Sequence, residues 1–279
     1  MPESIINWLT DHGIRIAIII LLGLLLDKTV DRFADRTIKK FVVKKQQHRD
    51  MEEIEQRAET LTDVFNTTTS VVVTSVVIMM VLPELGMAIG PLLAGAGVVG
   101  LAVGFGAQNL VRDFFAGLFI LIEDQYSIGD VIRVGDVAGS VEIINLRRTV
   151  LRDLDGVQHH IPNGEIKLAS NLTKDWSKIN IQVPVSYDTN IDMVTALLNK
   201  IGKDLAESEE YKESFIDAPN VLGLDKFGPS ELLLKVVAKT RPGKQWEMAR
   251  ELRKRIKTTF DEEGIEIPFP QRVVHQINK

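Results

Sequence analysis

Two patterns in this 279-residue chain have residue types and spacing suited to chemistry. Gly95-Ala96-Gly97-Val98-Val99-Gly100 spells G-x-G-x-x-G, which cradles a pyrophosphate when it follows a strand, opens a helix and meets water. Here it lies inside an uncharged run of 27 residues, 85–111, so its spacing serves close helix packing instead. His159-His160 offers imidazole, a common metal ligand. Adjacent strand residues point to opposite faces, and no second ligand cluster accompanies them, so a structural or surface role is read. There are no cysteines, which removes disulfides, thiolate metal sites and cysteine nucleophiles. Neither a Ser/His/Asp set nor a phosphate loop nor clustered carboxylates stand out. The chain is read as not an enzyme, with no cofactor and no metal.

The elements that carry these residues start with a membrane. Residues 64–82 and 85–111 hold no charge over 19 and 27 residues, and about 20 apolar residues cross a bilayer core. Residues 16–26 add 11 apolar positions, the length of a signal-peptide core. Glu3 and Asp11 precede Arg15, however, and Asp27-Lys28 follow where small cleavage-site residues belong. The alternative is a helix from about Ile5, with Trp8 at the interface and Arg15 snorkelling. Leu26, Val30, Phe33, Ile38 and Phe41 continue its apolar stripe beyond the bilayer. Lys28–Asp31 and Arg32–Asp35 read as i,i+3 pairs on a solvated face. Residues 44–53 form a polar turn, and Ile54, Ala58, Leu61 and Phe65 lead into the second run.

Residues 27–63 carry nine Lys/Arg, whereas 1–13 and 82–111 carry none. The positive-inside rule then sets the N-terminus outside, with the 27–63 linker and everything after residue 112 in the cytoplasm. The expected membrane part is 1–126, with helices at about 5–45, 52–82 and 86–111 and an interfacial segment at 113–125. Residues 114–122 (FFAGLFILI) are too few to span again and read as amphipathic. The net charge of −5 splits as 11 basic against 15 acidic residues before position 128 and 22 against 23 after it. That balance argues against nucleic acid.

The third run is not an ordinary anchor. Gly90, Gly95, Gly97, Gly100, Gly104 and Gly106 alternate with Ala94, Ala96, Ala102 and Ala107, and small residues four apart let helix backbones approach closely. Leu101 and Phe105 are the bulky pair, one turn apart. Two readings stay open. They line a pore as apolar rings able to close it by dewetting, or they face the first two helices.

After Ser127 come short alternating strands with Gly punctuation, a compact all-β unit over 127–174. Residues 175–279 then read strand, helix (about 190–207), strand, strand, helix (about 244–263) and a last short strand near 272–277. This β-α-β-β-α-β order is the ferredoxin-like pattern.

The stretch from Gly100 through Gly104-Phe105-Gly106-Ala107-Gln108-Asn109-Leu110 resembles the pore helix of the small-conductance (MscS-type) mechanosensitive channels. The likeness continues in Gly129-Asp130-Val131-Ile132, Gly139-Ser140-Val141-Glu142, Leu146-Arg147-Arg148-Thr149, Asp155-Gly156, Ile161-Pro162-Asn163-Gly164 and Asn171. It covers nearly all of the chain from about residue 85. The resemblance implies a homoheptamer with three transmembrane helices per subunit, the third lining the pore. It also implies a small Sm-like β-barrel domain and an α/β domain forming a cytoplasmic cage with side openings.

By position, Leu101 and Phe105 fall on the pore constriction, and Ala94, Gly97, Val98, Gly100, Ala102 and Gly104 on the packing faces of the pore helix. Gln108, Asn109 and Gly117 fall at the pore exit and bend. Asn109 stands where the best-known members have a helix-bending glycine, and Val98 replaces a small packing residue. A bend is expected over 109–113, where Arg112-Asp113 mark the membrane surface. The implied activity is tension-gated release of ions and small osmolytes on hypo-osmotic shock, in the cytoplasmic (inner) membrane of a prokaryote. Membrane lipids and copies of the chain are the expected partners. The rival reading is a membrane-anchored oligomeric ligand-binding or transporter protein. Transporters usually show internal repeats and intramembrane charges, and neither is present here.

Overall fold

The computed structural model of the chain describes residues 8–44 and 51–275. The chain divides into two compact units, Met1–Gly106 and Ala107–Lys279.

In the first unit a π-helical turn, Leu9–Gly13, leads into helix α1 (Ile14–Lys44), which pairs with α2 (Met51–Glu84). The expected start near Ile5 and most of the 44–53 turn lie outside the described residues. Polar and small side chains set the register of the pair. Ser70 Oγ donates to both carboxylate oxygens of Asp27, at 2.8 and 2.9 Å. A Cβ at Gly23 would collide with Val77, and Ala34, Ala58 and Thr62 are buried. The expected Lys28–Asp31 pair does not form. Asp31 Oδ1 is instead buried without a partner, because the packing of α1 on α2 turns that side of the helix inward.

Among the described residues, two helical stretches are long and apolar enough to cross a membrane, Glu55–Glu84 and Gly90–Ile122. Helix α1 is not one of them. Its uncharged run between Arg15 and Asp27 is 11 residues long, against about 20 for an unbroken apolar span, so a crossing by α1 would extend past Arg15.

Helix α3 spans Gly90–Ile122 without interruption, which corrects the expected division into 86–111 and 113–125. Gly86 has φ +81° and ends the preceding turn, and Pro91 sits in the first turn of α3, where its missing N–H costs nothing. Beyond Asn109 no proline intervenes. Asn costs a helix only a few tenths of a kcal/mol more than its good formers, ~0.7 kcal/mol at most relative to Ala. The helical hydrogen-bond ladder therefore continues through 109–113.

The second unit opens with the remainder of α3, followed by five antiparallel strands: β1 (Val131–Val134), β2 (Val137–Ile144), β3 (Arg148–Arg152), β4 (Gln158–Pro162) and β5 (Ala169–Asn171). Their order is β4-β3-β2-β1-β5, and Ile120, Tyr126, Ile132, Val141 and Leu151 form the core.

Next come β6 (Ser177–Val185), α4 (Ile191–Glu207), β7 (Phe215–Phe227), β8 (Leu232–Thr240) and α5 (Gln245–Glu262). The sheet order is β6-β8-β7. Asn190 caps α4 by accepting from the amides of Asp192 and Met193. Alternate residues of β6, Ile179, Ile181, Val183 and Val185, pack with Leu198 and Leu205 of α4 and Leu252 and Phe260 of α5. Strand β7 pairs with β8 through four register shifts.

Five of the six expected elements are present. Residues 265–275 are not a strand, and 276–277 lie outside the described residues. Pro268 and Pro270 remove two backbone donors, and Val273 and Val274 stand 84% and 81% exposed with no strand beside them.

Candidate functional site

The candidate residues all lie on α3, and the helix uses its small residues in two ways. At about 100° per residue, Leu101, Phe105 and Gln108 fall within an arc of about 60°. Gly100 and Gly104 flank that arc on one side, and Ala102 and Gly106 on the other. Leu101 and Phe105 are 65% and 74% exposed, so within one chain neither packs into the hairpin. Ala94, Gly97, Val98, Gly100, Ala102 and Gly104 are exposed too. A Cβ at Gly95, Gly97, Gly100, Gly104 or Gly106 would meet nothing within 4 Å. Glycine in a helix interior costs about 1 kcal/mol relative to alanine, and no contact among the described residues offsets that cost. The G-x-G-x-x-G lies wholly inside this helix, with no strand ahead of it among the described residues. It therefore lacks the turn that binds a dinucleotide.

Beyond Asn109 the surroundings change. Asp113, Gly117 and Ile120 are buried along one face. Asp113 Oδ1 accepts from the Gly164 amide at 2.9 Å. Gly117 abuts the Leu146 carbonyl and the Asn163 side-chain amide so closely that a Cβ would collide with both.

A polar network holds those two loops in place. Asn163 is fully buried. Its Nδ2 donates to the Asn145 carbonyl at 2.7 Å, and its Oδ1 accepts from Thr149 Oγ1 at 2.9 Å. Thr149 in turn meets the Tyr126 hydroxyl at 2.9 Å. Burial pushes the Tyr126 phenol up, and its hydrogen bond with Thr149 opposes that shift. Sequence reasoning singled out Gly117 but missed Asp113, Tyr126, Asn145, Thr149 and Asn163 as its surroundings. The available signal was that Thr149 and Asn163-Gly164 sit inside the quoted LRRT and IPNG motifs.

The opposite face of this half exposes Phe114, Phe115, Phe119 and Ile122. Gln108 and Asn109 are exposed between the two halves. His159 pairs with Asp153 at 2.9 Å, and that hydrogen bond is the largest cause holding the Asp153 carboxyl below its ordinary value. No group of three or more His, Cys, Asp or Glu suited to a metal occurs among the described residues.

Three family profiles match the chain in order. "Mechanosensitive ion channel, transmembrane helices 2/3" covers residues 67–108. "Mechanosensitive ion channel, beta-domain" covers 109–174, and "Mechanosensitive ion channel MscS, C-terminal" covers 179–267. The chain is 40% identical over 183 residues to a small-conductance mechanosensitive channel of Caldanaerobacter subterraneus, covering 66% of this chain and 64% of that one. It is 32% identical over 209 residues to an uncharacterized MscS family protein of Archaeoglobus fulgidus, covering 73% of this chain and 71% of that one. The chain thus spans just under two thirds of the length of the Caldanaerobacter channel. In fold it resembles Helicobacter pylori MscS in its closed state, with a TM-score of 0.67 and 19% identity over 94% of this chain and 99% of that one.

Proposed function

From the premise that this chain belongs to the MscS family of mechanosensitive ion channels, we propose that it forms a channel opened by membrane tension. Copies of the chain assemble as a homo-oligomer, a heptamer by family resemblance, around a pore lined by α3. Each chain crosses the cytoplasmic membrane of a prokaryote three times, with its N-terminus outside. Helix α1 serves as the first crossing in concert with α2, and the Sm-like β domain and ferredoxin-like domain lie in the cytoplasm.

One observation carries this reading. A glycine-rich helix stands uncovered over 90–106, with Leu101 and Phe105 the bulky residues of one arc and small residues on both flanks. Flanks of glycine and alanine suit α3 of neighbouring copies at close range. The arc between them then turns Leu101 and Phe105 toward the axis as two apolar rings.

Narrow apolar rings shed water and block ions without a plug. Tension favours the state that occupies more bilayer area, and a ring of splayed helices is wider than a closed one. Lipid contact with the α1–α2 hairpin biases that two-state equilibrium. Opening separates the rings, wets the pore and releases ions and small osmolytes past Gln108 and Asn109 on hypo-osmotic shock. At the exit, Gly117 anchors α3 to the β domain.

The test is single-channel recording from the purified protein in liposomes under suction. Unitary currents that switch on with tension are expected. Patches that stay silent up to rupture, with the protein shown to be inserted, would sink the proposal.

A further inference from the structure

The α1–α2 hairpin carries a polar seam that lies apart from the Leu101 and Phe105 arc of α3. Ser70 Oγ on Asp27 fixes one rung. In an antiparallel pair, one turn up α1 is one turn back along α2. That register sets Asp31 opposite Asn66, and the Ala34-Asp35 step opposite Thr62.

Three oxygens along these rungs, Asp31 Oδ1, Asn66 Oδ1 and Thr62 Oγ1, are buried without a hydrogen-bond partner. Thr62 itself is only 5% exposed. Its neighbours on the hairpin behave differently. Thr29, Thr60, Thr68 and Ser75 each return their hydroxyl to the carbonyl four residues back, the usual resting place for a helical hydroxyl. The Thr62 hydroxyl forgoes that bond and stays in the seam. Neither Asp27 nor Asp31 has an ion-pair partner among the described residues. Lys28 and Arg32, beside them in sequence, remain exposed. Two carboxylates four apart on a helix repel each other, and a buried carboxylate oxygen without a donor is costly.

We propose that this seam binds a monovalent alkali cation, of which sodium is the type, between Asp31, Asn66 and Thr62, with Asp27 as the flanking charge. The donor set is all oxygen, which selects hard cations over zinc or copper. Within the direct ligand set Asp31 is the one carboxylate and the other two oxygens are neutral, which suits a single positive charge. No group of three or more acidic or histidine ligands is present among the described residues to build a divalent cage. A cation held there ties α1 to α2 through side chains of both. Its binding is separate from the channel reading and is measured without any current.

The experiment is hydrogen–deuterium exchange on the full-length purified protein, in NaCl or in choline chloride at equal ionic strength. Peptides covering residues 55–70 are expected to exchange more slowly in sodium. Above the dissociation constant, the slowing should grow about tenfold for each tenfold rise in sodium. Peptides of α4 and α5 serve as the unmoved reference. T62V keeps the shape of the side chain, and D31N keeps its size while removing its charge. Both variants should lose the sodium dependence. Equal exchange in sodium and choline would overturn the site and leave Asn66 turned over to donate to Asp31. Protection by magnesium or calcium but not sodium would overturn the monovalent assignment, and so would sodium dependence retained in both variants. If D31N does not fold, T62V alone decides.

Discussion

Within one helix, α3, glycine does two opposite things. At Gly100 and Gly104 a Cβ would meet open space, whereas at Gly117 it would strike a backbone carbonyl and a buried amide. The first pair is costly to its own chain and useful only to something outside it. Gly117 is useful at once, because it lets the helix lie flat on the loops at Leu146 and Asn163. Composition treats these glycines alike, and their surroundings separate them. On the proposed reading the upper half of α3 answers to assembly, and the lower half to the fold of the chain itself.

The sharpest way to break this contrast is at the network beneath Gly117. Asn163→Ala removes the donor to the Asn145 carbonyl and the acceptor for Thr149. Orphaned buried groups of this kind make the expected loss about 3 kcal/mol, read as a lower unfolding midpoint of the purified protein. An unchanged midpoint would mean that the two loops are held by other contacts.

Gly117→Ala comes next. The Leu146 carbonyl is backbone and cannot swing away, so an overpacking loss of about 2 kcal/mol is expected by the same measurement. Gly100→Ala should move the other way. In the isolated chain it meets nothing and gains helix propensity of about 1 kcal/mol, yet in the assembled protein it should shift the gating tension. If Gly100→Ala and Gly117→Ala destabilise equally, the contrast between the two halves fails.

Phe105→Ser is smaller still in stability, within about 0.5 kcal/mol for a side chain so exposed. Its consequence is expected in function, as channels that open at lower tension and cells that grow poorly from leak. Normal growth together with a normal threshold would remove Phe105 from the gate.

Acidification should act on the second unit. Hydrogen bonds to Asp124 (from Ser127, then Lys174), Glu142 (from Arg152), Asp153 (from His159) and Asp225 (from Gln182, then Lys235) hold these carboxyls below their ordinary values. A lowered folded value means stability that is present above the unfolded carboxylate range, about 3.9–4.3. It is lost as pH falls through the lower folded values. The unfolding midpoint should stay flat from neutrality to about pH 5 and decline below about pH 4. Asp153→Asn should soften that decline, and a midpoint already falling at pH 6 would point to other groups.

Much of this was legible in the residues, for physical reasons. Uncharged runs report helices in hydrocarbon, alternation reports the strands, and the Ile179–Val185 face of β6 could be read directly from its period of two. The misreadings share one cause, which is that the deciding partner is remote in sequence. Arg112-Asp113 looks like a surface break, yet Asp113 finds its partner at Gly164, 51 residues away, and the helix continues. Lys28–Asp31 looks like a solvated pair, yet Asp31 turns toward α2. A last strand is expected near 272–277, but a strand needs a neighbour and Val273 and Val274 have none among the described residues. The shortness of the apolar run in α1 was visible, but its pairing with α2 was not.

The three-stranded sheet bears on how a newly made copy survives before it meets its partners. Its outer strands, β6 and β7, each present a row of backbone groups that could template runaway stacking with other nascent chains. Pro184 deletes a donor from β6, and Lys178 and Gln182 stand on its exposed side. The four register shifts of β7 bend and twist that strand, so a second chain finds no flat ribbon to extend. The irregularity that makes β7 untidy as a strand thus leaves it a poor template for edge-to-edge pairing.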